Sequence, residues 1–148
     1  MDKAYSVHLL CWHDGQPLLL ALREAIRIRD QRMSARLGSD GLDKASRHAL
    51  ALSAKGSAIG CGRITAPMHP AAPCIGGIAV LPEWRNKKVG TALLELLLDY
   101  ARSQYYPEVE IEAPTQAVPF YHRRFGFEVA GEEFMAANMP YTKMRLVL

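Results

Sequence analysis

Long apolar runs are missing from this sequence. None approaches the roughly 18 residues that suggest a membrane span, so no membrane partner is expected. Cysteine is scarce: Cys11, Cys61 and Cys74 are odd in number and follow no metal spacing, which argues against a disulfide framework and for a reduced, cytoplasmic setting. The five histidines are scattered, and no His/Cys/carboxylate cluster of the zinc type is expected. A formal charge of +3 is mild, and the cations form no long basic tract that would call for nucleic acid. The opening "MDKAYSV" lacks the charged-then-apolar pattern of a signal peptide. Repeats and linkers are absent as well. What is there is ordinary globular material, 49% apolar and 22% charged in 148 residues, enough for one domain over residues 1–148 with a real core.

Periodicity supplies the elements. "AYSVHLLCW" reads as a strand closed by the turn signal Asp14-Gly15, and residues 16–33 have helical spacing with Pro17 in the first turn. Residues 34–46 form a polar loop with room for one helical turn. Two strands follow, joined by a hairpin at Lys55-Gly56. "CIGGIAVL" is a β-rich run ended by Pro82. "VGTALLELLLDYA" is a helix with Val89, Leu93, Leu96, Leu97 and Tyr100 on one stripe and Glu95, Asp99 and Arg102 opposite. "VEIEA" alternates as a half-buried strand, "TQAVPFYHRRFG" holds a short helix, and "FEVAGEEFM" and "TKMRLVL" are strands. The order β-α-(α)-β-β-β-α-β-α-β-β is that of a mixed α/β layer protein.

Two glycine patterns carry opposite implications. Gly60-x-Gly62 lies inside a hairpin strand and opens no helix, so it marks a bulge or a close backbone approach, not a dinucleotide site. No Walker loop is present. The stretch "RNKKVGT" differs: Arg85, Lys87 and Lys88 stand directly ahead of a helix whose start already carries partial positive charge. Strand, Pro82, basic turn, Gly90-Thr91 and helix start together make an anion site suited to a phosphorylated ligand. A solvated surface turn is the alternative.

These residues resemble the GNAT superfamily of N-acetyltransferases. The family's cofactor motif runs here as Val80, "LPEW", Arg85, "NK", Lys88, Val89, Gly90, with Lys88 where the first glycine is expected. "QAVPFYHRRFGFEVAGEEFMAANMPYTKM" is similar to the closing helix–strand segment, and the amino-terminal half looks like the ElaA-like branch. The resemblance implies a GNAT fold: a mostly antiparallel, splayed central sheet in a mixed α+β chain, flanked by helices. It implies acetyl-CoA as co-substrate, met by Ile78, Ala79, Val80, Arg85, Asn86, Lys87, Lys88, Val89, Gly90 and Thr91, with the cations facing its phosphates.

The chemistry implied is acetyl transfer to an amine of a small molecule or exposed peptide. Tyr121 of the "FY" element matches the family's proton donor. "HRRF" puts four residues between Tyr121 and Gly126, where three are usual, which makes His122 the rival donor. One added helical residue turns the face by about 100°. Glu112 is the candidate base, with a solvent-facing strand glutamate as its plain reading. Asp40, Asp43 and His48 either shape the acceptor pocket or cap a loop turn. Arg23, Arg27, Arg29, Arg32 and Arg36 form a positive flank or a solvated helix face. A coenzyme A-binding module without turnover is the competing function, and a homodimer is left open.

Overall fold

A computed structural model describes residues 4–29, 41–67, 72–136 and 138–148 of the 148-residue chain. The first strand, β1 (Tyr5–Cys11), passes without a turn into α1 (Trp12–Arg29). The turn expected at Asp14-Gly15 is thus the first turn of a helix. Asp14 suits the positive helix start, and Gly15 is buried where a β-carbon would come within 2.9 Å of Leu19 and 3.1 Å of Leu10. Packing there overrides the local turn signal, and Pro17 falls in the second turn.

A 3₁₀ turn (Asp43–Ala45) precedes the hairpin β2 (Ser46–Ser53) and β3 (Ala58–Thr65), whose turn carries Gly56 at φ +84°. Next come β4 (Cys74–Val80), α2 (Val89–Ser103), β5 (Glu108–Pro114), α3 (Val118–Phe125), β6 (Glu128–Ala136) and β7 (Met139–Val147). The seven-stranded sheet has the order β1-β2-β3-β4-β5-β7-β6. Every neighbouring pair is antiparallel except β4–β5.

One face packs on α2, where Leu93, Leu94, Leu97 and Leu98 meet Ile59, Ile64, Ile75, Val109, Ile111, Phe127 and Met144. The buried stripe of α2 therefore includes Leu94, Leu98 and Ala101, while Leu96 and Tyr100 lie at its edge. Each of these leucines is worth about 1.5–3 kcal/mol when buried, against a few tenths for an exposed cation near a helix start. Burial alone therefore holds α2 in place despite its basic entry. On the other face, Leu19, Leu22 and Ile26 of α1 cover Leu50, Cys61 and Ala79. Gly60 and Gly62 leave β3 open to α2: a β-carbon at either would stand 3.1 Å from a neighbouring side chain.

Strand β5 is more buried than its alternation implies. Glu110 is only 9% exposed, covered by Lys143 at 3.3 Å and Arg145 at 3.7 Å from β7.

Candidate active site

The parallel pair β4–β5 holds together over a short stretch only. Cys74 faces Glu110 and Ile75 faces Ile111, and the Glu110 N–H donates to Pro73 O at 3.0 Å. Beyond that point β4 shifts register against β3, between Cys61 and Arg63, with Gly77 at φ +64°. Ala79 and Val80 still pair with β3, but among the described residues their other edge has no ladder partner. The sheet parts there, and the residues expected to meet a cofactor follow on from the gap.

The loop from β4 to α2 is braced by the chain itself. Arg85 Nε donates to Val80 O at 3.0 Å, folding the loop back on the strand end. Asn86 (φ 62°) and Lys88 (φ 67°) both take left-handed backbone. Lys88 is the N-cap of α2 and gives it no side-chain cap, so the first N–H groups of the helix are not closed off by that residue. The Lys87 ammonium lies 5.1 Å from the Trp84 ring centroid, and Tyr5 Oη donates to Lys87 O at 3.4 Å. A β-carbon at Gly90 would find Ile78 and Val80 no nearer than 3.9 Å, so the backbone is open at that position. Positive charge, unclosed N–H groups and an accessible backbone coincide at one helix start. That combination suits an anionic ligand.

Helix α3 lines the other side. Arg124 ties it to Glu95 of α2 at 2.9 Å. The Tyr121 ring packs with Phe120, Phe125 and Phe127 at centroid distances of 5.4, 6.5 and 6.1 Å, and burial raises its phenol above the usual range. His122 points elsewhere: its Nδ1 is 3.0 Å from Phe127 O and 3.5 Å from Glu128, at the junction with β6. The extra residue of "HRRF" continues the helix to Phe125, and Gly126 closes it at φ +86° with its N–H on His122 O.

Asp43 and His48 sit in a buried clamp. Arg23 donates to both Asp43 oxygens at 2.9 and 3.0 Å, and Arg63 donates to Oδ1 at 2.9 Å. Burial works to raise the Asp43 carboxyl, but the hydrogen bonds and charges of Arg23 and Arg63 outweigh it and hold it low. His48 is fully buried, with Nε2 2.9 Å from Asp43 O and its ring 5.2 Å from Trp12; burial lowers its pKa. This clamp is not visible in the sequence, where Arg23 belongs to a solvated row. The one hint is its place between Leu19 and Ile26 on the buried stripe. Arg27 and Arg29 are half-exposed and paired with Glu24 and Glu83. Asp40, Arg32 and Arg36 lie outside the described residues. Glu112 projects from β5 on the α1 face beside the parting. A separate cavity of about 230 Å³, lined by Cys11, Arg47, Ile64, Tyr100 and Tyr106, lies at the far end of α2 from the basic loop.

A mixed sheet that parts along its one parallel pair, beside a basic helix start, defines the GNAT acyltransferase fold. The chain belongs to the acetyltransferase (GNAT) domain family, whose model matches residues 23–148. It is 29% identical over 124 residues to the uncharacterized N-acetyltransferase YjcF of Bacillus subtilis (strain 168), covering 83% of this chain and 86% of that protein. The structure of Escherichia coli ElaA matches with a TM-score of 0.79 at 23% identity, covering 95% of this chain and 98% of that one. A GNAT family acetyltransferase from Elizabethkingia anophelis, solved with acetyl-CoA bound, matches with a TM-score of 0.65 at 16% identity, covering 99% and 100%. At these identities the two structures speak for the fold.

Proposed function

We propose that this protein transfers the acetyl group of acetyl-CoA to the amine of a small molecule or an exposed peptide. The observation that carries this reading is the unladdered edge of β4 at Ala79 and Val80, leading into the basic start of α2. An extended pantetheine arm fits a strand edge, and a pyrophosphate fits the helix start beside Lys87, Lys88 and Gly90. Bound there, the thioester supplies the activated acetyl group.

The chain's own residues do the rest. Glu112 relays the amine's proton through water. Tyr121, kept protonated by burial, donates a proton to the departing thiolate. Alignment supplies most of the remaining acceleration. His122, turned toward β6, is poorly placed for the donor role. Lys88 adopts the left-handed turn that glycine would supply, so its presence does not favour a module without turnover. No described helix is long and apolar enough to cross a membrane, and we place the enzyme in the cytoplasm. The test is acetyl-CoA-dependent thiol release across a panel of amines. Cofactor binding with no release for any amine would leave the non-catalytic module as the better reading.

A further inference from the structure

A row of residues across the sheet changes character at its end. Met144, Ile111, Ile75 and Ile64 face one another across β7, β5, β4 and β3, each at most 3% exposed beneath α2. Residues directly opposite one another share a face, so the next two, Arg47 on β2 and Cys11 on β1, look the same way. A cation therefore takes the core-facing position after four apolar residues. The helix cover ends there: the Arg47 guanidinium lies 6.0 Å from the ring centroid of Tyr100, on the last turn of α2. Past that turn the chain folds back, with the Tyr106 N–H donating to Ala101 O at 3.2 Å.

The row runs out into the cavity of about 230 Å³. Pro73 lines it, and the Pro73 carbonyl accepts the Glu110 N–H where β4 and β5 still pair, so the cavity sits at the closed end of the seam. Ile64 and Pro73 give it an apolar wall, Tyr100 and Tyr106 an aromatic one, and Arg47 and Lys44 its charge. Among the described residues no carboxylate lines it, and neither cation has a hydrogen bond or ion pair from its side chain. Asp43, next to Lys44 in the chain, is committed to Arg23 and Arg63, each at 2.9 Å. The rim is braced as well. Ser46 Oγ donates to Leu42 O at 2.7 Å and meets Thr65 Oγ1 at 2.8 Å. A fixed hollow with apolar walls and two uncompensated cations is completed by an anion.

We propose that this cavity is a second ligand site, which binds a small organic acid: one carboxylate on a compact, flat apolar body. The planar fork of Arg47 matches the two carboxylate oxygens, and Lys44 adds a point charge beside it. The apolar body lies against Ile64, Pro73 and the tyrosine rings. A cavity of about 150 Å³ holds a benzene ring, so the volume here takes a ring together with its acid group. A phosphate ester fits less well. The end of α2 carries partial negative charge, which opposes a second charge on the ligand. The site is also distinct from the basic loop: Val89 and Tyr100 stand about 16 Å apart along α2 at 1.5 Å per residue.

Benzoate is the probe, titrated into the protein by calorimetry beside benzamide and phenyl phosphate. Benzoate should bind with a dissociation constant of about 1 mM or below, as expected for a ligand of this size. Benzamide keeps the ring and loses the charge, and should bind at least about tenfold more weakly. Arg47→Gln should bring benzoate down to the level of benzamide, and Lys44→Gln should weaken it less. Both side chains are exposed, so neither change threatens the fold. Cys11, half-buried on the cavity wall, reports the location. Bound benzoate should slow its alkylation by iodoacetamide, read by mass spectrometry on the Cys11 peptide. Saturating acetyl-CoA should leave benzoate affinity unchanged. The proposal is overturned by no benzoate binding at millimolar concentration, by benzamide or phenyl phosphate binding as tightly, or by undiminished binding to Arg47→Gln. Unslowed Cys11 alkylation, or competition from acetyl-CoA, would place benzoate elsewhere and overturn it too. The titration needs no turnover, so its failure would leave acetyl transfer standing.

Discussion

Lys88 holds a backbone conformation that works against the fold. Its φ of 67° lies where a β-carbon costs roughly 1–2 kcal/mol, and glycine avoids that cost while losing about 0.5–1 kcal/mol of chain entropy. Lys88→Gly should therefore stabilise the apo protein by about 0.5–1 kcal/mol, which raises the melting temperature by about 1–4 °C. The same change removes a cation from the basic loop, so acetyl-CoA should bind more weakly. Melting curves with and without acetyl-CoA check both signs on one sample; a lower apo melting temperature would mean that the lysine makes a contact outweighing its strain. Tyr121 and His122 divide in the same way. Tyr121→Phe keeps the ring packing against Phe120 and Phe127 and removes only the phenolic proton. Turnover should fall by about 10²–10⁴ with acetyl-CoA affinity nearly unchanged, whereas His122→Ala should leave turnover close to wild type. A silent Tyr121→Phe with a damaging His122→Ala would hand the donor role to the histidine. The motif departures at Lys88 and "HRRF" were legible as departures. How the backbone absorbs them was not, because a left-handed residue or one more helical residue is chosen by the surrounding packing.

Elements defined by their own periodicity, the hairpin and α2 among them, could be read from the sequence because local pattern and burial agree there. Where distant residues decide, local reading falls short. Gly15 fits against Leu10 and Leu19 inside a helix, and Glu110 is covered by residues more than thirty positions later. The Arg23–Asp43–Arg63 clamp is the strongest such case, since it joins α1, the turn before β2, and β3. Its carboxyl is held low, so its contribution is present above the unfolded value of about 3.9 and is lost as pH falls through the folded one. His48 is also lowered. The unfolded chain takes up its proton below about 6.5 while the folded chain resists, so stability falls with pH from there down to the folded value. Acid should thus weaken the fold in two stages. Asp43→Asn leaves two half-buried guanidinium groups without their shared anion and should cost about 2–3 kcal/mol at pH 7. It should also remove the lower stage, and His48→Gln the upper. Urea unfolding at pH 7, 5.5, 4 and 3 separates them; an Asp43→Asn protein as stable as wild type would show that the clamp does not hold these elements together.

At the scale of the whole molecule, the sheet is held on both faces by packed helices yet parts along one seam, so ligand binding and stability should be coupled. A ligand that binds only the folded state at about 100 times its dissociation constant adds roughly 2.7 kcal/mol. For a chain of this size that raises the melting temperature by about 5–10 °C. Acetyl-CoA should produce such a shift, and its absence at millimolar concentration would remove the cofactor assignment. The basic loop divides the effect. Lys87 is exposed and rests over Trp84, and Lys88 is exposed at the start of α2, so neither holds the core. Reversing both with Lys87→Glu and Lys88→Glu should therefore leave the apo melting temperature within about 1 °C. The shift given by acetyl-CoA should shrink strongly, and that given by an acetylated pantetheine lacking the phosphates only slightly. Added salt should reduce the acetyl-CoA shift in wild type more than in the double variant, since screening acts on the charges that remain. Equal losses for both ligands would place the phosphates away from this loop and leave its cations as a solvated turn.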